Sequence, residues 1–298
     1  MVILLAIAPR SCIQKGFAVA YKTILVHVDD SPHMPARVGI AAALAVAQDA
    51  HLVGAAMTGL SRFIEQAVAV NPYDPHITPY LDKLNASAAS ALDRFEEEAR
   101  RLGVTSVERR LVDDDVIGGI ALQARYCDLA IVGQHDPDEP VLTGGSDFPE
   151  YVAISSGAPV LIVPFAGRFP RVGSRVLIAW NGSREARRAV QDALPMLTTA
   201  EQVDVAIFNP AERQDLCGEQ PGADIQQYLS RHGITAGLHI AQLPHGDVDD
   251  ALLSMAADVS SDLLVMGCYG HSRFREMLLG GVTRGILASM TVPVFMSH

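Results

Sequence analysis

The sequence predicts an α/β fold of two tandem repeats, each a doubly wound five-stranded parallel sheet flanked by helices. Three observations lead there. Strand-like apolar runs alternate with alanine-rich helical stretches along most of the chain. Several of those runs, such as LLVMG at 263–267, are apolar at consecutive positions, as strands covered on both faces require. The series of segments that begins at Tyr21 also starts again near Ser174.

Taken in order, YKTILVHVDDS (21–31) and SRVLIAWNGS (174–183) each read as a first strand that ends in a small polar turn. MPARVGIAAALAVAQDA (34–50) and REARRAVQDALPML (184–197) follow with apolar residues at helical spacing. HLVGAAM (51–57) and VDVAIF (203–208) supply second strands, and SVERRLV (106–112) and AGLHIAQL (236–243) third strands. Asp115 and Asp247 are placed to cap the next helix, and each of those segments ends in an apolar strand closed by Gly133 or Gly267. GAPVLIVP (157–164) and TVPVFMSH (291–298) give the fifth strands, with proline where no ladder bond is lost.

The repeats define a first domain at 21–166 and a second at 172–298, preceded by an extension at 1–20. That extension is apolar but too short to span a bilayer, and no basic residue precedes its apolar run. The first domain carries a helical insertion near 60–102, read as an amphipathic helix packed on the sheet. The chain of 298 residues, 49% hydrophobic and 19% charged, is large enough for two cores. Its net charge of -11 argues against a nucleic-acid partner. Four scattered cysteines without a CxxC pair indicate neither zinc nor a disulfide framework, which fits a cytoplasmic location.

The segment MGCYGHSRFREMLLGGVTRGIL (266–287) follows the fourth strand of the second repeat, on the edge that faces the ligand crevice in open α/β sheets. Gly267 and Gly270 allow close backbone approach, while Gly280 and Gly281 expose N–H groups at a helix start, a geometry that attracts phosphate. Arg273, Arg275 and Arg284 add positive charge that would meet a polyphosphate. There is no G-x4-G-K-[ST] and no early G-x-G-x-x-G, so neither the P-loop nor the dinucleotide fingerprint applies.

The two-repeat pattern, with the spacing G-x2-G-x9-G from Gly267 through Gly270 to Gly280, resembles the universal stress protein family. The resemblance runs from about Tyr21 to His298. It implies a five-stranded parallel sheet per repeat, halves paired through their last strands as a pseudo-dimer, and ATP, ADP or AMP as ligand, with Mg a candidate companion. The implied nucleotide contacts are Gly267, Gly270, Gly280, Gly281 and Val282, with Thr283 the nearest hydroxyl because the family's Ser/Thr position is Gly281. The family's adenine-side aspartate corresponds to Asn181, which keeps one acceptor and adds a donor.

In the first repeat Gly133 is kept, but Asp136, Ser146 and Asp147 replace the later motif glycines. Asp136, Asp138, Glu139 and Asp147 would repel phosphate, Asp147 with Glu150 reads as a helix cap, and Asp29 as a relic or turn former. His271, His245, Trp180 and Cys268 are read as ordinary loop or core residues. These features favour a cytoplasmic stress-response regulator with one adenine nucleotide in the second repeat, the first serving as a partner surface. The alternatives are a nucleotide-independent scaffold and, last, a slow ATPase, since no acid, base or metal cluster accompanies the glycines. No membrane association is expected, and a homodimer is a further candidate assembly.

Overall fold

The computed structural model describes residues 20–59, 77–138, 145–213, 220–243, 248–269 and 281–298. The first half contains β1 (Thr23–His27), α1 (Met34–Gln48), β2 (His51–Met57), α2 (Ile77–Arg101), β3 (Val107–Val112), α3 (Val116–Ala124), β4 (Leu129–Gly133), α4 (Phe148–Ser155) and β5 (Val160–Val163). The second contains β6 (Arg175–Ala179), α5 (Arg184–Asp192), the single turn α6 (Leu194–Leu197), β7 (Gln202–Phe208), α7 (Ala223–Arg231), β8 (Ala236–Ala241), α8 (Val248–Asp258), β9 (Leu263–Gly267), α9 (Gly281–Ser289) and β10 (Val294–Ser297).

The strands form one ten-stranded sheet in the order β3-β2-β1-β4-β5-β10-β9-β6-β7-β8. Each half is therefore a parallel five-stranded unit whose order reverses between its first and fourth strands. The halves meet where β5 and β10 pair antiparallel, with Leu161 opposite Phe295. Pairing through the last strands is the arrangement that the resemblance implies, and here it merges the two sheets into one.

Burial follows position in the sheet. All residues of β4, β5 and β10 are buried, whereas the outermost strands β3 and β8 leave residues such as Leu111 and Ile240 exposed. Because side chains alternate across a strand, two apolar layers form. One, with Ile24, Leu52, Phe95, Ile178 and Phe295, lies under α1, α2 and α5; the other, with Leu25, Ile120, Val152, Leu264 and Ile286, lies under α3, α4, α8 and α9. Each layer runs across both halves.

The insertion contributes α2 to the first layer, and residues 60–76 lie outside the described residues. Phe95 of α2 fills the space above Gly54, where a Cβ would stand 2.3 Å from the ring. Arg94 of the same helix reaches Asp30 in the turn after β1 at 2.5 Å, and Ser87 bonds the same carboxylate, so α2 is tied to that turn.

Side-chain bonds join the halves as well. The Gln134 amide, just past β4, donates to the carbonyls of Leu287 (2.8 Å) and Ala288 (3.3 Å) near the end of α9. The Tyr21 hydroxyl donates to the Asp192 carbonyl at 2.8 Å. Asp115 caps α3 as its position indicates, accepting from Gly118 N at 2.8 Å. Asp147 differs from the expected cap. It precedes α4, yet its carboxylate bonds no N–H of that helix and instead accepts from Ser146 Oγ at 3.1 Å.

Candidate functional site

Because β6 and β9 are hydrogen-bonded neighbours running the same way, Asn181 and Gly267 come together at one edge of the sheet. Asn181 Oδ1 accepts from Ser183 N at 3.0 Å, and Gly182 takes a φ of 74°, so the chain turns sharply into α5. Ser183 Oγ then caps that helix by accepting from Ala186 N at 3.2 Å. The same turn recurs after β1, where Asp29 Oδ1 accepts from Ser31 N at 3.1 Å.

Gly267 is glycine for a reason other than the one its spacing indicates. A Cβ there would stand 2.5 Å from both Glu185 C and Ala186 N, so the residue is fixed by the N-terminus of α5 packing against the end of β9. Beyond it, Cys268 is buried and its N–H donates to Ser297 O at 3.0 Å. Tyr269 adopts a φ of 54°, and burial together with the nearby Glu150 carboxylate pushes its phenol well above the ordinary range. Gly270, Arg273 and Gly280, with Arg275, His245, Asp247 and His271, lie outside the described residues.

The far wall begins at Gly281, the first residue of α9, which is exposed with open space where a Cβ would be. Val282 is half-buried and Thr283 buried. Residues two apart on a helix point about 200° apart. The Thr283 hydroxyl therefore does not stand where a hydroxyl on residue 281 would. A helix start in general offers first-turn N–H groups that lack intrahelical partners, with the positive end of the helix dipole.

Glu185, which the sequence analysis passes over, is buried beside Gly267. Burial, the largest single influence, acts to raise its carboxyl, but the hydrogen bond from Arg184 Nε at 2.6 Å, its own backbone N–H and the Arg184 and His298 charges together bring it below the usual range. Its Oε2 has no hydrogen-bond partner among the described residues.

The corresponding crevice in the first half is occupied differently. It is lined by His27, Asp29, His33, Arg37, Gly133, Gln134, His135, Gly145 and Phe148. Arg37, only 3% exposed, pairs with Asp29 at 2.5 Å and also donates to the His27 carbonyl (3.3 Å) and Ser31 Oγ (3.4 Å). Burial alone would raise the Asp29 carboxyl, but Arg37 and the other hydrogen bonds bring it down to about 2. Burial, with help from the Arg37 charge, lowers His27 to about 4 against the opposing pull of Asp29, so its ring is neutral at pH 7.

Asp29 is thus both the turn former its position suggests and the half-buried partner of the buried Arg37. Asp136 bonds His33 Nε2 at 2.8 Å and the Asp138 N–H at 2.9 Å, so part of the acidic charge read from the sequence is already paired. Glu139 lies outside the described residues. Among the described residues no group of three His, Cys, Asp or Glu side chains is arranged to hold a metal ion.

Residues 174–298, the half with the intact glycine spacing, match the Universal stress protein family. That half of the chain is therefore similar to the universal stress protein family. A universal stress protein of Synechocystis is 25% identical over 145 residues, covering 49% of this chain and 48% of the relative, so the chain spans about half the length of the curated relative it matches. Among solved structures, a universal stress protein from Archaeoglobus fulgidus superposes over 92% of this chain and 95% of its own, with a TM-score of 0.69 and 17% identity. A putative universal stress protein from Pseudomonas aeruginosa does so over 93% of each chain, with a TM-score of 0.58 and 19% identity. At these identities the likeness shows the fold, and it extends over both halves. The family match over the second half and the structural likeness over both thus agree with the sequence resemblance.

Proposed function

We propose that this chain is a universal stress protein acting as a cytoplasmic stress-response regulator, and that it takes one adenine nucleotide, ATP or its ADP and AMP relatives, in the second half. The observation that carries the reading is the juxtaposition of the Asn181 turn and Gly267 on adjacent strand ends, in the half where Gly270 and Gly280 complete the family spacing. Asn181 would face the base with a side chain that both accepts and donates. The phosphates would take the first-turn N–H groups of Gly281, Val282 and Thr283, with Arg273 as counter-charge and Mg accompanying a triphosphate.

The first half serves as a structural and partner surface, since its crevice holds an internal ion pair and Asp136 in place of a motif glycine. Among the described residues no helix is long and apolar enough to cross a membrane. Calorimetric titration of the full chain with ATP, ADP and AMP, beside a Gly270→Asp variant that copies the first repeat, tests the reading. Binding by the unmutated chain and its loss in the variant are expected. No binding at millimolar nucleotide would leave the scaffold alternative standing.

A further inference from the structure

We propose that Arg37 decides which half of the chain takes a nucleoside: its guanidinium fills the first-half crevice as a built-in substitute for the ligand. This rests on the nucleotide reading above and concerns the half to which that reading gives no ligand. In both halves the turn after the first strand lies beside the glycine that ends the fourth, because those strands are paired. The backbone frame is shared, and the contents differ.

In the first half the guanidinium takes three acceptors at that strand end: the Asp29 carboxylate, the His27 carbonyl and Ser31 Oγ. A planar group presenting N–H donors to a carboxylate is what the amino edge of adenine would also present, so arginine and ligand compete for the same acceptors. Nη1 lies 2.7 Å from where a Cβ on Gly133 would stand, so the side chain covers the glycine that a ligand would approach. A nucleoside entering there would have to break the Arg37–Asp29 ion pair and leave the buried guanidinium uncompensated in a crevice lined by His27 and Phe148.

In the second half the nearest described atoms over Gly267 belong to Glu185 and Ala186, and none of them is a guanidinium. Asn181 is neutral and exposed, and among the described residues its side chain bonds only the Ser183 N–H. Among the described residues that half keeps the acceptor with no guanidinium on it.

The test uses the full chain and an azido-adenosine photoprobe, followed by peptide mapping. In the unmutated protein, label is expected only on second-half peptides, and label on peptides containing residues 27–37 or 133–148 would overturn the proposal. Arg37→Ala alone leaves the half-buried Asp29 carboxylate without its counter-charge and risks misfolding, so the informative variant is Arg37→Ala with Asp29→Asn, which copies Asn181, in a Gly270→Asp background. Label is expected to move to the first half, with adenosine binding near one per chain by calorimetry. A variant with unchanged circular dichroism that neither labels there nor binds millimolar adenosine overturns the role of Arg37. Failure of the unmutated chain to label anywhere would count against the second-half reading, while the triple variant still decides the case of Arg37.

Discussion

Gly267 lies directly beneath the peptide bond that joins Glu185 to Ala186, at a distance that leaves no room for a Cβ. The contact is backbone to backbone, so no side-chain rotation relieves it. Gly267→Ala is therefore expected to destabilise the second half by about 2 kcal/mol or more, the cost of overpacking a closely packed site. Urea denaturation followed by circular dichroism measures this, and a loss below about 0.5 kcal/mol would show that α5 shifts freely. The variant is also a poor probe of ligand binding, because it would alter the crevice through α5.

Gly281 is the opposite case, with open space around its Cβ position and a place at the start of α9. Gly281→Ser restores the hydroxyl that the family motif carries, and it replaces a glycine in the first turn, so no loss of stability is expected. A hydrogen bond to a charged phosphate contributes about 1.5–3 kcal/mol, so ATP should bind roughly ten- to a hundredfold more tightly. Calorimetry on the variant and the unmutated chain reads the change directly. Unaltered affinity would mean that residue 281 does not face phosphate.

These two glycines mark how far the sequence could be read. Alternating patterns placed the strands and most helices, because period and burial are coupled in a doubly wound sheet. Glycine spacing located the crevice at the strand ends but could not say what approaches each glycine. Gly267 faces a helix backbone and Gly133 faces Arg37. Arg37 itself was invisible, since it sits in an amphipathic helix where an arginine ordinarily faces solvent, and only the register of α1 against β1 buries it. Asp147 misled for a similar reason: its spacing to Glu150 fits a cap, but its carboxylate turns to Ser146 instead.

His27 gives the first half a pH dependence. Its ring is buried and its folded-state value falls from 6.5 to about 4, so the unfolded chain binds the proton first as pH drops. Stability from this group is present above pH 6.5 and lost on the way down to pH 4, a loss of about 3 kcal/mol. The depressed carboxyl of Asp29 works in the same direction at lower pH, adding a loss between its ordinary value of 3.8 and about 2. Urea midpoints from pH 7 to pH 4 should fall for the unmutated chain and flatten for His27→Asn. Parallel slopes for both proteins would assign the acid sensitivity to other groups.

The β5–β10 pairing makes a prediction about the halves when separated. Every residue of β5 is buried, and its outer edge is hydrogen-bonded to β10 from Val160 opposite Met296 to Ile162 opposite Val294. Expressed without residues 172–298, the first half would present that edge as unpaired N–H and C=O groups flanked by apolar side chains, a template for strand addition. It would also lose the partners of Tyr21 and Gln134, which reach Asp192, Leu287 and Ala288 in the other half. A fragment covering 20–168 is therefore expected to self-associate, with a second copy of β5 standing in for β10. Light scattering across a concentration series should give the mass of a dimer or larger, and Ile162→Lys on the pairing strand should shift it toward monomer while impairing stability. A fragment that stays monomeric and cooperatively folded would mean that the central strand pair joins the halves without being needed to cover either.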